Sequence, residues 1–395
     1  MRTLFLCSEY PPFEPGGVGT FTRVLGQWLA ARGHEVHVLG EYDDVEIRED
    51  YEDAGVRVHR FPRATAALGK RAQLAMTRLR LRGEVKRLCA RYAIQLIEGP
   101  AHTYGGGLWL VPRVAPLICR IHSSRMLMKA AKHGKASWND RLVDRGARHA
   151  GCFVAVSPWA RDQARLHWRP AAGREVLLIP NPITNCFFEA DELPAPEEPD
   201  TVVFSGSLNE QKGIRELLGA WPQVRESHPA LSLHVYGKAG RCSRDVADAV
   251  SDSASRVYWH GPVSQHDLAA ALRRARLAVF PSHFETFGLA AAEAAAAGAP
   301  LVVSDIPPYR SLFGEDGVAA YCRSRDAESL MQALLSALSG TRRARAAVAK
   351  ARERMHQFRV EQVGPINEAL YSKVIGEGTR VRTPSTLSQD CPSRM

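Results

Sequence analysis

Short apolar runs alternate along the chain with longer amphipathic ones, in two successive blocks. In the first block Thr3–Cys7, Val36–Leu39, Val56–Phe61, Ala93–Glu98, Ala115–Ile121, Cys152–Val156 and Val176–Ile179 have the length and apolar density of buried strands. Between them Phe21–Ala31 places Val24, Leu25, Trp28 and Leu29 on one helical face and is closed by Gly33. Lys70–Arg91, Asp140–Ala150 and Trp159–Trp168 also read as helices, and acidic Tyr42–Asp53 as surface. The pattern breaks over residues 179–200, which are rich in Pro, Asn and acids, and this is the best domain boundary. A second block follows, with strands at Thr201–Phe204, Leu231–Tyr236, Val257–His260, Leu277–Phe280 and Leu301–Val303. Its helices begin at Ile214 and span Gln265–Arg274, Leu289–Ala297, Ala327–Leu338, Arg342–Phe358 and Val363–Ile375. Strand–helix alternation in both blocks predicts an α/β fold of two Rossmann-like parallel-sheet domains.

The stretch 281–300, PSHFETFGLAAAEAAAAGAP, stands out from this background. Gly288 opens an alanine-rich helix that Gly298 and Pro300 close. The N–H groups of Gly288 and Leu289 have no partner within the helix, and such ends attract phosphate. Glu285 and Glu293 flank that end, and carboxylates accept hydrogen bonds from sugar and ribose hydroxyls. A core helix with two solvated glutamates is the plainer reading. Near the N-terminus, Gly16, Gly17 and Gly19 follow the first strand and allow a backbone to approach a ligand closely, or merely form a tight turn. His122 ends the strand 115–121, at the edge where doubly wound sheets bind ligands.

Composition narrows the function classes. The chain has 395 residues, with 45% hydrophobic and 24% charged residues, as expected of a globular protein of two domains. No apolar run reaches the length of a membrane span, and the N-terminus reads as a first strand rather than a signal peptide. The eight cysteines are dispersed without a C-x-x-C pair, which leaves zinc and redox motifs without support and fits a reducing, cytoplasmic setting. Net charge is +10, concentrated in residues 70–91. That helix is either a solvated face or a surface for anionic membranes or ligands. No aromatic platform or recognition motif accompanies the charge, so no nucleic-acid partner is expected.

Taken in order, these pieces resemble the retaining glycosyltransferases of the family 4 type, which have the GT-B fold, over most of residues 1–375. The resemblance rests on Glu285-x7-Glu293 with Phe287-Gly288-Leu289 between and Gly298-Ala299-Pro300 after. Further matches are Gly206-Ser207-Leu208 with Lys212-Gly213, Pro15-Gly16-Gly17, Arg120-Ile121-His122, and Ile179-Pro180-Asn181-Pro182 with Phe187-Phe188.

The resemblance implies two domains facing a cleft: an acceptor-side domain over 1–183 and a nucleotide-sugar domain over 184–358. A helix over 359–376 would cross back to the first domain, and 377–395 would be a disordered tail. Glu285 would contact the donor sugar, and Glu293 the ribose. Phe287, Gly288 and Leu289 would offer N–H groups to the diphosphate and sugar, and Lys212 would pair with the diphosphate. Gly16 and Gly17 would close on the phosphate and sugar, and His122 would sit by the reacting carbon. The implied partners are a nucleotide sugar and an acceptor: a sugar, a lipid-linked sugar or a small molecule. The expected setting is cytoplasmic or peripheral on the inner membrane face, in cell-surface polysaccharide synthesis. No cofactor is implied, and the absence of any Asp-x-Asp leaves no expected metal site.

Two positions depart from the family pattern. Ser207 stands where Arg is frequent, so Lys212 and the helix N-terminus would carry more of the charge neutralisation unless another cation enters from the basic first domain. Arg310 lies in a loop that often reads Gly-Gly with a Glu beyond, and is either structural or a ligand contact. A nucleotide-sugar epimerase or glycosyl phosphorylase of the same architecture, and a non-catalytic basic protein adhering to membranes or nucleic acid, are the competing readings.

Overall fold

The computed structural model describes all residues except 12–15, 65–68, 102–110, 123–149, 169–174, 190–199, 241–245, 247–254, 340 and 381–395. Elements are numbered over the described residues. The helix expected at Asp140–Ala150 falls almost wholly outside them.

The first sheet has eight strands in the order β3-β4-β2-β1-β5-β6-β7-β8. These are β1 Arg2–Leu6, β2 Glu35–Tyr42, β3 Glu49–Asp53, β4 Val56–Pro62, β5 Leu96–Pro100, β6 Leu117–Ile121, β7 Cys152–Ala155 and β8 Val176–Leu178. All pairings are parallel except β3 with β4. The second sheet is wholly parallel, in the order β11-β10-β9-β12-β13-β14. Its strands are β9 Thr201–Ser205, β10 Ser232–Tyr236, β11 Val257–Gly261, β12 Leu277–Phe280, β13 Leu301–Ser304 and β14 Ala320–Cys322. Central strands such as β6, β12 and β13 are buried throughout, as layers covered on both faces require.

The helices are α1 Gly17–Ala31, α2 Lys70–Tyr92, α3 Pro158–Trp168, α4 Ile214–Ser227, α5 Gln265–Arg273, α6 Leu289–Ala297, α7 Pro307–Phe313, α8 Ala327–Leu338, α9 Thr341–Met355 and α10 Val360–Arg380. The α/β class with two parallel sheets is the one the strand–helix alternation predicts. Three elements differ from expectation. The acidic segment read as surface contains β3, an antiparallel edge strand held by polar pairs: Asp50 with His59 at 2.8 Å and Glu49 with Arg60 at 2.8 Å. It lacks apolar alternation because charge pairing, not a buried face, fixes it. The short helix α7 and strand β14 are also not expected from the sequence pattern. Both are brief, and long-range packing sets them rather than local pattern.

Helix α10 returns to the first sheet. Its Glu368 binds Arg32 at 3.0 Å and His34 at 2.7 Å, and a Cβ at Gly364 would meet the Trp28 ring at 2.6 Å. It continues through Arg380, past the expected start of a tail at Glu377; residues 381–395 lie outside the described residues. Where the chain leaves and re-enters the first unit, the two crossings lie side by side. Ile183 N–H donates to the Phe358 carbonyl at 2.7 Å, and Ile183 bridges to Arg359.

Candidate active site

Loops at the carboxyl ends of both sheets line one cleft of about 390 Å³. Gly16, Gly17, His122, Ser207, Lys212, Glu285, Phe287, Gly288, Leu289 and Glu293 all border it. Phe287 borders it from a buried position. Its ring is buried in the core, edge-on to Phe358 at 5.4 Å.

On the second-sheet side, β12 runs into α6 through a turn that only glycine fits. Gly288 has φ +94°, and a Cβ there would lie 2.5 Å from Tyr309 Cε1. The alanines after it pack flush in the core. Glu293 is therefore buried among small apolar side chains, and this desolvation pushes its carboxyl up to about 8, with Lys212 acting against the shift. Lys212 ends a short 3-10 turn capped by Asn209, whose side-chain oxygen accepts from the Lys212 N–H at 3.1 Å. The next residue, Gly213, has φ +72°, and a Cβ there would lie 2.0 Å from the Pro281 carbonyl oxygen. This contact seats Lys212 under the end of β12. Its Nζ meets Glu285 Oε1 at 2.6 Å, and Ser282 Oγ donates to the same oxygen at 3.0 Å. Tyr309 donates to Ser282 at 3.3 Å. Burial, and next the charge of Glu285, raise the pKa of the Tyr309 hydroxyl well above its ordinary value.

Ser207 sits where two glycine loops touch. A Cβ at Gly237 would lie 2.2 Å from the Gly206 carbonyl oxygen, and Leu208 N–H donates to the Lys238 carbonyl at 3.0 Å. Lys238, beside Ser207, also borders the cleft. The second domain thus brings a further lysine to the cleft besides Lys212. Arg310 does not border the cleft. It chelates Asp305 at 2.7 and 2.8 Å and lies over the Tyr321 ring at 3.9 Å, so its role is structural.

On the first-sheet side, Gly16 is extended, with φ −129°, and precedes α1. The Glu9 carboxylate lies against it: a Cβ on Gly16 would be 2.1 Å from Oε2. At Gly19 a Cβ would be 1.6 Å from the Glu9 carbonyl oxygen, so the loop closes only on glycine. The His122 ring meets Phe21 edge-on at 4.6 Å, and the Arg120 guanidinium lies 4.6 Å from the same ring. Arg120 is fully buried. It binds Glu98 at 2.6 and 3.3 Å and Asn367 at 2.6 Å, and Tyr371 donates to Glu98 at 2.7 Å. Helix α10 thereby completes the hydrogen bonding of the Arg120–Glu98 pair, two residues before His122.

Glu9, Lys238 and Thr286 border the cleft but were not singled out from sequence. The reasoning applied to His122 would have flagged Glu9, which follows β1 at the same sheet edge. The other two carry no local signal.

Residues 15–184 match the family model described as Glycosyltransferase Family 4, and residues 187–354 the one described as Glycosyl transferases group 1. The chain belongs to this family of glycosyltransferases. It is 28% identical to a glycogen synthase of Mycobacterium tuberculosis over 383 residues, covering 88% of this chain and 89% of the relative. It is 26% identical to a phosphatidyl-myo-inositol mannosyltransferase of Mycolicibacterium smegmatis over 400 residues, covering 99% and 98%. In fold, this glycosyltransferase resembles a sucrose-phosphate synthase from Thermosynechococcus elongatus, with a TM-score of 0.77 at 22% identity over 95% of this chain and 100% of that one. It also resembles Anabaena HepE, solved in complex with UDP and glucose, with a TM-score of 0.70 at 17% identity over 94% and 100%. These neighbours place the two parallel-sheet domains in the GT-B fold.

Proposed function

We propose that this glycosyltransferase moves a hexosyl group from a nucleotide-diphosphate sugar to an acceptor hydroxyl with retention of configuration. The observation that carries the reading is one cleft joining Glu285, Glu293, Lys212 and the α6 terminus of one sheet to His122 and Gly16 of the other. Glu293 accepts the ribose hydroxyls, which favour its ionised form. The α6 terminus, Lys212 and Lys238 receive the diphosphate. Glu285 then turns from Lys212 to the sugar hydroxyls.

Charge builds on the leaving diphosphate as the bond to sugar C1 breaks. Preorganised cations and N–H groups stabilise that state more than the ground state. These groups perform the neutralisation a metal provides elsewhere, and transfer is metal-independent. No residue is assigned as a covalent nucleophile. Departure and attack occur on one face of the sugar, with the leaving phosphate taking the acceptor proton. That the solved relative HepE binds UDP and glucose supports a nucleotide-sugar donor.

The acceptor belongs to a cell-surface polysaccharide or glycoconjugate, met at the inner face of the membrane. Among the described residues no helix is long and apolar enough to cross a membrane. Helix α2 exposes Leu79 and, less fully, Met76 among its arginines, a combination suited to peripheral adhesion.

The test is a thermal-shift screen of UDP- and GDP-sugars. A donor at 100 times its Kd stabilises the fold by about 2.7 kcal/mol. Transfer from the best donor is then measured in excess chelator with product anomer analysis. No stabilisation by any nucleotide sugar would remove the reading. Loss of transfer in chelator, restored by magnesium or manganese, would remove metal independence.

A further inference from the structure

The loop that carries Glu285 belongs to the second domain by sequence and to both domains by contact. Its base is held by the second domain: His283 N–H donates to the Gln211 carbonyl at 2.8 Å, and Gln211 Nε2 donates to the Phe284 carbonyl at 3.3 Å. Its tip is held by the first. The Phe284 side chain is buried in the first domain's core, edge-on to Trp159 at 5.4 Å. Thr286 is then gripped twice. Its hydroxyl donates to the backbone carbonyl of His122, and its own carbonyl accepts from the Ser157 hydroxyl. His122 and Ser157 follow β6 and β7, which are adjacent in the first sheet. Ser157 Oγ also accepts from the Ala160 N–H at 3.1 Å, so the oxygen that caps α3 passes its hydrogen across the cleft.

We propose that Thr286, with Ser157, is an interdomain latch and a positioning residue. It fixes the Glu285 loop against His122 only when the two domains are closed. The inference rests on the reading of Glu285 and His122 as catalytic groups, but the latch itself is a structural claim that can be measured apart from it. The geometry assigns this role to Thr286 because it lies between Glu285 and Phe287, and any shift of the first domain's strand ends moves it directly. Rotation about the adjoining crossings at Ile183 and Arg359 must break both hydrogen bonds and withdraw Phe284. A one-ångström misplacement of a catalytic group can cost about 100-fold in rate, so a single hydroxyl can matter far more to turnover than to stability.

The experiment compares the full chain with Thr286→Val, Thr286→Ser and Ser157→Ala. Hydrogen–deuterium exchange is read with and without UDP or GDP. Thr286→Val should accelerate exchange on both sides of the cleft, in peptides covering 282–288 and 152–160, while Thr286→Ser restores protection. With the best of UDP-glucose and GDP-mannose as donor, kcat for Thr286→Val should fall about tenfold or more, with donor KM within about twofold. Ser157→Ala should show the same split, with an added loss of α3 protection. Unchanged exchange at 152–160 in Thr286→Val, or a kcat within about twofold of the parent, would overturn the latch. If Thr286→Val loosens both sides while the parent transfers from neither donor, the latch stands and the catalytic reading of Glu285 and His122 falls.

Discussion

Two glycine-led helix termini border the cleft, and they are not equivalent. At α1 the Glu9 carboxylate lies against Gly16, so a negative charge already sits where the helix end would attract one. At α6 the nearest loop carboxylate, Glu285, is drawn aside by Lys212 and Ser282, and no acidic residue occupies the first turn. The Gly288 end is thus left facing the cavity. On the proposed reading, the contrast directs a phosphate to α6 and leaves α1 to approach the ligand without offering it charge. What decides is not the glycine pattern, which both ends share, but the placement of the neighbouring carboxylate.

That comparison can be broken or sharpened in four ways. The largest effect is expected from Glu285→Gln, which removes the charge balancing Lys212 and the proposed contact to the donor sugar. Turnover should drop by about 100-fold or more, near 2.7 kcal/mol, with circular dichroism unchanged. A drop of less than about tenfold would take Glu285 out of the site. Next is the pair Gly288→Ala and Gly17→Ala. The first forces a Cβ into Tyr309 at positive φ and should cost roughly 2–4 kcal/mol in denaturant unfolding. The second meets nothing within 4 Å and should leave stability level or raise it by up to about 1 kcal/mol. Equal costs would erase the distinction between the two turns.

Third, Glu293 is held with its carboxyl at about 8 against an ordinary 4.5. A raised acid contributes stability fully below about pH 4.5 and loses it as pH rises through about 8. Glu293→Gln should therefore be more stable than the parent at pH 8, by roughly 1–3 kcal/mol, with the gap closing toward pH 4.5. It should also lose donor affinity. A gap that does not change across this window would show that the carboxyl is ionised without strain. The smallest effect is expected from Glu9→Gln. Relieving the charge at α1 should tighten binding of UDP or GDP by about 0.5–1 kcal/mol in calorimetry. Weaker binding would mean that Glu9 contacts the donor.

The C-terminal half of this comparison was largely legible in the sequence. Leu277–Phe280 and Leu289–Ala297 are read and observed with the same limits, because an apolar run and an alanine run bounded by glycines leave little choice. The neighbours that give those elements meaning were not legible. Tyr309 makes Gly288 obligatory from a helix too short to show a periodic pattern. Glu9 acts on Gly16 through a side-chain placement that no spacing encodes. Lys238 reaches the cleft only because Gly206 and Gly237 touch. Each of these depends on contacts between distant segments, whereas the strands and helices themselves depend on local periodicity.

The buried Arg120 has a consequence for the order in which the protein is made. Glu98 is synthesised before Arg120, but Asn367 and Tyr371, which complete their hydrogen bonding, are made only after the whole of the second sheet. The second sheet, by contrast, is one continuous stretch of chain. The nascent protein therefore completes its second sheet while the Arg120–Glu98 pair of the first still lacks the two hydrogen bonds that α10 supplies. The unit of the first sheet thus waits for a helix made after the second.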